Sequence, residues 1–190
     1  MPKPCAPFDP SRKPLDAAKL DELALAYVAR FATSRAKLLR YLARKVRESE
    51  WKDESDAMAA CEAIADRMEA LRYLDDRQYA AMRGQAMTRR GLGVRRVKAQ
   101  LYVDGIAAAD SGEAIAAAER AAVAAAIGFA RRRRLGPFAV RADDDPRLRE
   151  RHVAAFARAG HSLALARRIL ALAPGDEDAL AALDDEAALD

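Results

Sequence analysis

The sequence predicts an all-α protein made of three tandem, divergent three-helix repeats. Prolines fall at positions 2, 4, 7, 10 and 14 and then only at 137, 146 and 174, so none interrupts helical hydrogen bonding between residues 15 and 136. Alanine is abundant and aromatic residues make up only 6%, which suits thin helical layers better than strands rich in β-branched and aromatic side chains. Stacking the helix–helix turns also reveals a repeat. Ser34, Gly93 and Ser162 align as N-caps, with Leu38, Val97 and Ala166 four residues on and Leu42, Leu101 and Leu170 eight residues on. The offsets of 59 and 69 residues leave room for three helices per copy.

The elements follow from their end signals. Residues 1–14, with five prolines, read as a flexible leader. Asp16 caps a helix running to about Ala32, and Ser34 caps a second carrying Leu38, Leu42 and Val46 on one face. A third spans about Asp56 to Arg72, with Ile64, Met68 and Leu71 together. In Leu74-Asp75-Asp76-Arg77-Gln78-Tyr79, Asp75 is the N-cap and Gln78 completes a capping box. Leu74 and Tyr79 hold the two positions of a hydrophobic staple. That helix ends at Gly91. The next opens at Gly93, presents Val94, Val97 and Leu101, and closes at Gly105-Ile106. One long helix is expected from about Ser111 to Arg134, then a loop from Gly136 to Pro146. Helices over Pro146–Ala159, Leu163–Leu172 and Asp176–Ala188 complete the chain. The divisions are thus a leader, 1–14; repeat 1, 15–74; repeat 2 with its long third helix and loop, 75–145; and repeat 3 with an acidic end, 146–190.

Charge is unevenly distributed. The net charge of +4 combines a body of +11 over residues 1–175 with seven acids and no base after it. A basic body favours nucleic acid or an acidic protein surface as partner. The tail has two readings: acids suited to the first turn of a last helix, which is the safer, or a segment folding back on the basic body. Cys5 and Cys61 cannot form a disulfide framework, and a reducing compartment is the simplest expectation. No secretory signal and no apolar run near 20 residues is present, so a cytoplasmic protein without membrane contact is expected.

These residues resemble the RecX family, whose members bind the RecA recombinase. The likeness is strongest over Leu71, Leu74-Asp75-Asp76, Tyr79-Ala80, Arg83, Gly91-Leu92-Gly93, Arg96-Val97, Leu101 and Gly105-Ile106. It continues in Arg131-Arg132-Arg133-Arg134-Leu135-Gly136-Pro137-Phe138, in Arg158-Ala159-Gly160-His161-Ser162 and in Ala166-Arg167-Arg168-Ile169-Leu170. The first repeat departs at Lys37, where the family pattern has an acid. Overall the likeness covers about residues 23–172. The resemblance implies an elongated, curved all-α array that lies on the RecA–DNA filament; a monomer is the expectation for the chain, whose oligomeric state the sequence leaves open. It also implies inhibition of filament extension, ATP hydrolysis and strand exchange, and so a part in DNA recombination, repair and the SOS response. Contact with single- or double-stranded DNA through the basic face stays open.

Contact candidates come from the basic residues. Arg83, Arg89, Arg90, Arg95, Arg96 and Lys98 occur within 21 residues that contain no acid, and such a group of like charges favours a surface that meets phosphates or carboxylates. Arg96 lies nearly opposite the Val94/Val97/Leu101 face, with Arg95 on its flank. Arg131, Arg132, Arg133 and Arg134 have two open readings: stabilisation of a helix C-terminus, or contact. For Arg167 and Arg168 a solvated face is favoured over contact. Base-specific readout is not suggested, because the cations are dispersed and no reading head of Asn or Gln accompanies them. A general nucleic-acid-binding module of helix-turn-helix-like repeats is the alternative.

Catalysis and cofactors are not expected. Asp75 and Asp76 are explained as an N-cap and a first-turn acid. His152 and His161 lack partners at metal-ligand spacing. His161 is expected to satisfy exposed turn carbonyls. Gly91-Leu92-Gly93 lacks the Gly-Lys-Ser/Thr of a phosphate loop, and no nucleophile–base pair is apparent.

Overall fold

The computed structural model describes residues 13–141, 145–176 and 178–183. Among these the chain is all-α apart from one two-residue pairing, and it divides into two compact units, Met1–Asp76 and Arg77–Asp190.

In the first unit, α1 (Ala17–Arg30), α2 (Arg35–Glu48) and α3 (Ala57–Ala70) pack around one core. Leu20, Ala24, Leu38, Leu42, Cys61, Ile64, Ala65 and Met68 fill it. Two caps are those expected, Asp16 accepting from the Lys19 amide and Ser34 from Lys37; Asp56, expected as the start of the third helix, is its N-cap and accepts from Met58 and Ala59. Two details differ. First, β1 (Pro14–Leu15) pairs in parallel with β2 (Glu50–Trp51), so the leader is pinned at its end rather than free through residue 14. Burial of Leu15 holds it there, and Pro14 costs no ladder bond because the donors are the Glu50 and Lys52 amides, to Lys13 and Leu15. Residues 1–12 of the expected leader lie outside the described residues. Second, Asp76 is more than a first-turn acid. Its carboxylate accepts the Arg35 amide at 2.8 Å, satisfying a donor at the open N-terminus of α2. The Arg35 guanidinium is committed to α3, pairing with Glu62 at 2.9 Å, Glu69 at 3.5 Å and Asp66.

The second unit holds α4 (Asp76–Arg89), α5 (Val94–Asp104), α6 (Ala108–Arg120), α7 (Ala122–Arg133), a 3-10 turn (Gly136–Phe138), α8 (Pro146–Ala159) and α9 (Leu163–Leu170). α4 starts one residue after Asp75, as predicted. Leu74 is buried in the first core and Tyr79 in a second, so each member of the expected staple has its own burial. The single helix expected over Ser111–Arg134 is two helices. α6 begins at Ala108, and Ala121 (φ −89°, ψ 8°) separates it from α7. No Gly or Pro marks this break. It is made by packing: Ala114 and Ala118 are buried with Tyr79, Met87, Val97 and Leu101, whereas Ala126, Phe129 and Ala130 are buried with Phe156, Ala166 and Ile169. α8 starts at Pro146 behind an Asp145 cap, as the Pro-in-first-turn signal predicts. α9 stops two residues short of Leu172, and of the last expected helix residues 178–183 are helical behind an Asp176 cap. Residue 177 and the acidic end 184–190 lie outside the described residues.

The three aligned turns occupy equivalent places. Ser34, Gly93 and Ser162 are the N-caps of α2, α5 and α9. Leu38, Val97 and Ala166, four residues on, are all fully buried. No helix among the described residues is long and apolar enough to cross a membrane.

Candidate interaction site at the paired glycine turns

Two of those turns, α4–α5 and α8–α9, meet back to back within the second unit. The Gly93 amide donates to the Ala159 carbonyl at 2.8 Å, and the Arg95 amide donates to the Gly160 carbonyl at 3.2 Å. Gly93 is an N-cap without a side chain, so the neighbouring turn supplies an acceptor for a first-turn amide of α5. Closeness explains the glycine. A Cβ at Gly93 would lie 2.4 Å from the Gly160 carbonyl carbon and oxygen. Gly160, at φ 94°, is in the left-handed region as well, and a Cβ there would lie 2.5 Å from the Arg96 nitrogen. Leu92, between the two glycines of the first turn, packs against both cores of this unit.

His161 locks the joint. It is 2% exposed, its ring lies 5.5 Å from Phe129 and 5.6 Å from Phe156, and Nε2 is 3.0 Å from the Gly91 carbonyl. The residue does satisfy a turn carbonyl, but one belonging to the other turn and in a buried setting. Facing a carbonyl, Nε2 carries the proton and donates it. Burial pushes the imidazole below its ordinary value of 6.5, and the Gly91 carbonyl, which favours the charged ring, offsets part of that. The folded chain therefore binds this proton more weakly than the unfolded chain does. The stability this brings is full above the unfolded value and is lost as the pH falls from there through the folded one. Acidification from about pH 7 to about pH 5 should lower the melting temperature more in the wild type than in His161→Gln. Equal slopes would show that His161 does not carry the effect.

The basic side chains surround this joint. Arg95 and Arg96 are exposed on α5 while Val97 and Leu101 face inward, and Arg89 and Arg90 are exposed at the end of α4. Among the described residues none of these four pairs with a carboxylate. Arg131, Arg132, Arg133 and Arg134 are exposed at the end of α7. Arg131 stacks over Phe138 at 5.1 Å and Arg133 over Phe129 at 5.6 Å, while the Arg132 guanidinium covers Gly91. The fold thus brings Arg132 of α7 to the turn that follows Arg90, although the two are 42 residues apart in sequence. Arg167 and Arg168 are exposed on α9, and Arg167 lines a separate groove of about 1310 Å³ with Leu148, Val153, Leu163 and Leu170.

Two cations of the acid-free stretch are committed within the fold. Lys98 pairs with Glu119 of α6 at 2.9 Å. Arg83 lies 3.6 Å from Asp104, a carboxylate 4% exposed that also accepts from Tyr79 Oη at 2.9 Å and Gln100 Nε2 at 3.1 Å. The mutual repulsion inferred for the whole group is therefore relieved at these two positions. In the sequence Asp104 marks only the end of α5, although an acid in the last turn of a helix opposes the helix dipole and so signals a local partner. Removing it as Asp104→Ala takes this carboxylate from Arg83, Tyr79 and Gln100 together and should cost about 1–3 kcal/mol in urea unfolding. A cost near zero would show that the cluster is incidental. Among the described residues no group of His, Cys, Asp and Glu is arranged to hold a metal ion.

No protein-family model matches the chain. A curated relative, the regulatory protein RecX of Myxococcus xanthus (strain DK1622), is 31% identical over 156 residues, covering 80% of this chain and 83% of its own length. The chain belongs to the RecX family of regulatory proteins. A crystal structure of a regulatory protein RecX is similar with a TM-score of 0.61 at 17% identity, covering 80% of this chain and 70% of that one. At that identity the likeness concerns the fold. It matches the all-α architecture.

Proposed function

We propose that this RecX-family protein is a non-catalytic regulator that docks on a RecA–DNA filament and restrains its extension, ATP hydrolysis and strand exchange. The observation that carries the reading is the joint itself. Two glycine turns, hydrogen-bonded backbone to backbone, hold α5 and α9 in fixed register, with the Arg132 guanidinium against Gly91 and with Arg89, Arg90, Arg95, Arg96 and Arg131–Arg134 exposed. A rigid basic surface loses little conformational freedom on docking and meets acidic side chains or phosphates without rearrangement. On this reading the chain is three divergent helical trios, α1–α3, α4–α6 and α7–α9, a division that moves α7 out of the expected second repeat (75–145) and into the third, because the long helix expected there is two helices. The equivalent caps Ser34, Gly93 and Ser162 support that division. The reading places the protein in the cytoplasm with RecA, acting as a monomer.

The test is a titration of RecA's DNA-dependent ATPase. Inhibition at amounts well below one copy per RecA is expected, because a restrained filament idles many subunits. An unchanged rate with folded protein would remove the reading. The same exposed arginines favour a second reading, a general nucleic-acid-binding module, which requires tight binding to naked DNA with a steep salt dependence.

A further inference from the structure

The outward face of α5 carries more than arginines. Tyr102 is 84% exposed and Val103 61% exposed, both in the last turn of the helix. Tyr102 lies nearly in line with Arg95, and Val103 with Arg96, each two helical turns or about 10.5 Å along the axis. The exposed Ala99 sits between the two rows. Val97 and Leu101 belong to the core on the other side, and the helix's one glutamine, Gln100, donates to Asp104 at 3.1 Å.

A lone exposed tyrosine is ordinary on a protein surface. The repeat makes this one informative. Two residues after the aligned caps stand Ala36, Arg95 and Ala164, and nine residues after them stand Ala43, Tyr102 and Ala171. Thus α2, and α9 with its C-cap Ala171, form with alanine at both places. Tyrosine is also a weaker helix former than alanine, so neither helix formation nor the core asks for Tyr102. Of the three aligned helices α5 alone has a guanidinium and a ring at the two ends of one row. Phosphate attraction needs only the cations; Ala99, Tyr102 and Val103 add nothing to it. Reading of base edges calls for an amide, and that of Gln100 is engaged by Asp104. A tyrosine in line with an arginine, with an aliphatic side chain at its edge, instead matches the centre of a protein interface. There the ring fills an apolar pocket and the guanidinium meets a carboxylate.

We infer that Tyr102, with Val103 beside it, is the apolar anchor of α5 and fixes what this helix recognises: a protein surface with an apolar pocket and carboxylates two helical turns away, not the nucleic acid. The inference rests on the filament-docking reading and names the component of the filament that α5 meets. The experiment measures the affinity of the full chain for RecA–ATP–DNA filaments and for the same DNA without RecA. Tyr102→Ala should lower filament affinity at least about tenfold, the loss typical of a buried interface anchor, and leave affinity for bare DNA unchanged. Tyr102→Phe, which keeps the ring, should bind as the wild type does. Val140→Ser, which removes an equally exposed apolar side chain elsewhere in the unit, should change neither affinity. Because Tyr102 is exposed, its removal leaves the circular dichroism spectrum unchanged. A wild type with no preference for the filament would remove the docking reading and this inference together. A wild type that prefers the filament, matched by Tyr102→Ala, would overturn the inference alone. Equal losses of Tyr102→Ala on filament and bare DNA would make the ring a nucleic-acid contact and overturn it as well.

Discussion

The double reversal Arg95→Glu/Arg96→Glu is expected to abolish the proposed inhibition of RecA's ATPase and to leave the circular dichroism spectrum unchanged. Both side chains are exposed, and the apolar positions of α5 that support folding, Val97 and Leu101, face the other way. Substitutions at such positions cost within about 0.5 kcal/mol, so unfolding does not confuse the result. Reversing two charges at a docking surface converts attraction into repulsion rather than merely deleting contacts. Lys98→Glu is the informative companion. Its ammonium is already engaged by Glu119, so it should affect inhibition far less, with some loss of stability from placing two carboxylates together. A double variant that inhibits normally would mean that the filament contacts lie elsewhere.

Gly93→Ala is expected to lower stability by about 3 kcal/mol, toward the upper end of the usual cost of overpacking. The new methyl would collide with the Gly160 backbone, which is not a flexible side-chain end that can move aside. The φ of −81° at Gly93 is ordinary, so the penalty is purely the contact. Gly112→Ala supplies the internal control. It lies within α6 with open space around it, and there the same substitution should stabilise by about 0.5–1 kcal/mol through helix propensity. Opposite signs for one chemical change, read from urea unfolding, isolate the turn-to-turn contact. Because that contact sets the register of α5, Gly93→Ala should also weaken inhibition at temperatures where the protein is still folded. Two stabilising glycine substitutions would contradict the back-to-back joint.

Much of the architecture was legible because its signals are local. A cap needs only its own helix, so Asp16, Ser34 and Ser162 could be placed from side-chain chemistry, and Pro146 and Gly105 from backbone preference. What was missed depends on residues far apart in sequence. The Ala121 break has no breaker residue; it exists because Ala118 and Ala126 are drawn into different cores. Asp76 reads as a first-turn acid until α2 presents its Arg35 amide. Gly93 reads as a modest N-cap, and only the approach of Gly160 shows why serine, used at the two equivalent turns, is excluded there. At the candidate site, Arg95 and Arg96 were identifiable by helical phase. The joining of Arg132 to the α4–α5 turn, and the internal pairing of Arg83 and Lys98, required the fold.

The most direct measurement compares the affinity of the wild-type protein for RecA–ATP–DNA filaments and for the same DNA without RecA, at one physiological salt concentration. A regulator that reads the assembled filament binds it at least about tenfold more tightly than bare DNA, a difference of about 1.4 kcal/mol, and the Arg95→Glu/Arg96→Glu variant loses that margin. Equal affinity for both would instead make the arginine surface a plain phosphate binder, and the filament-docking account would fail.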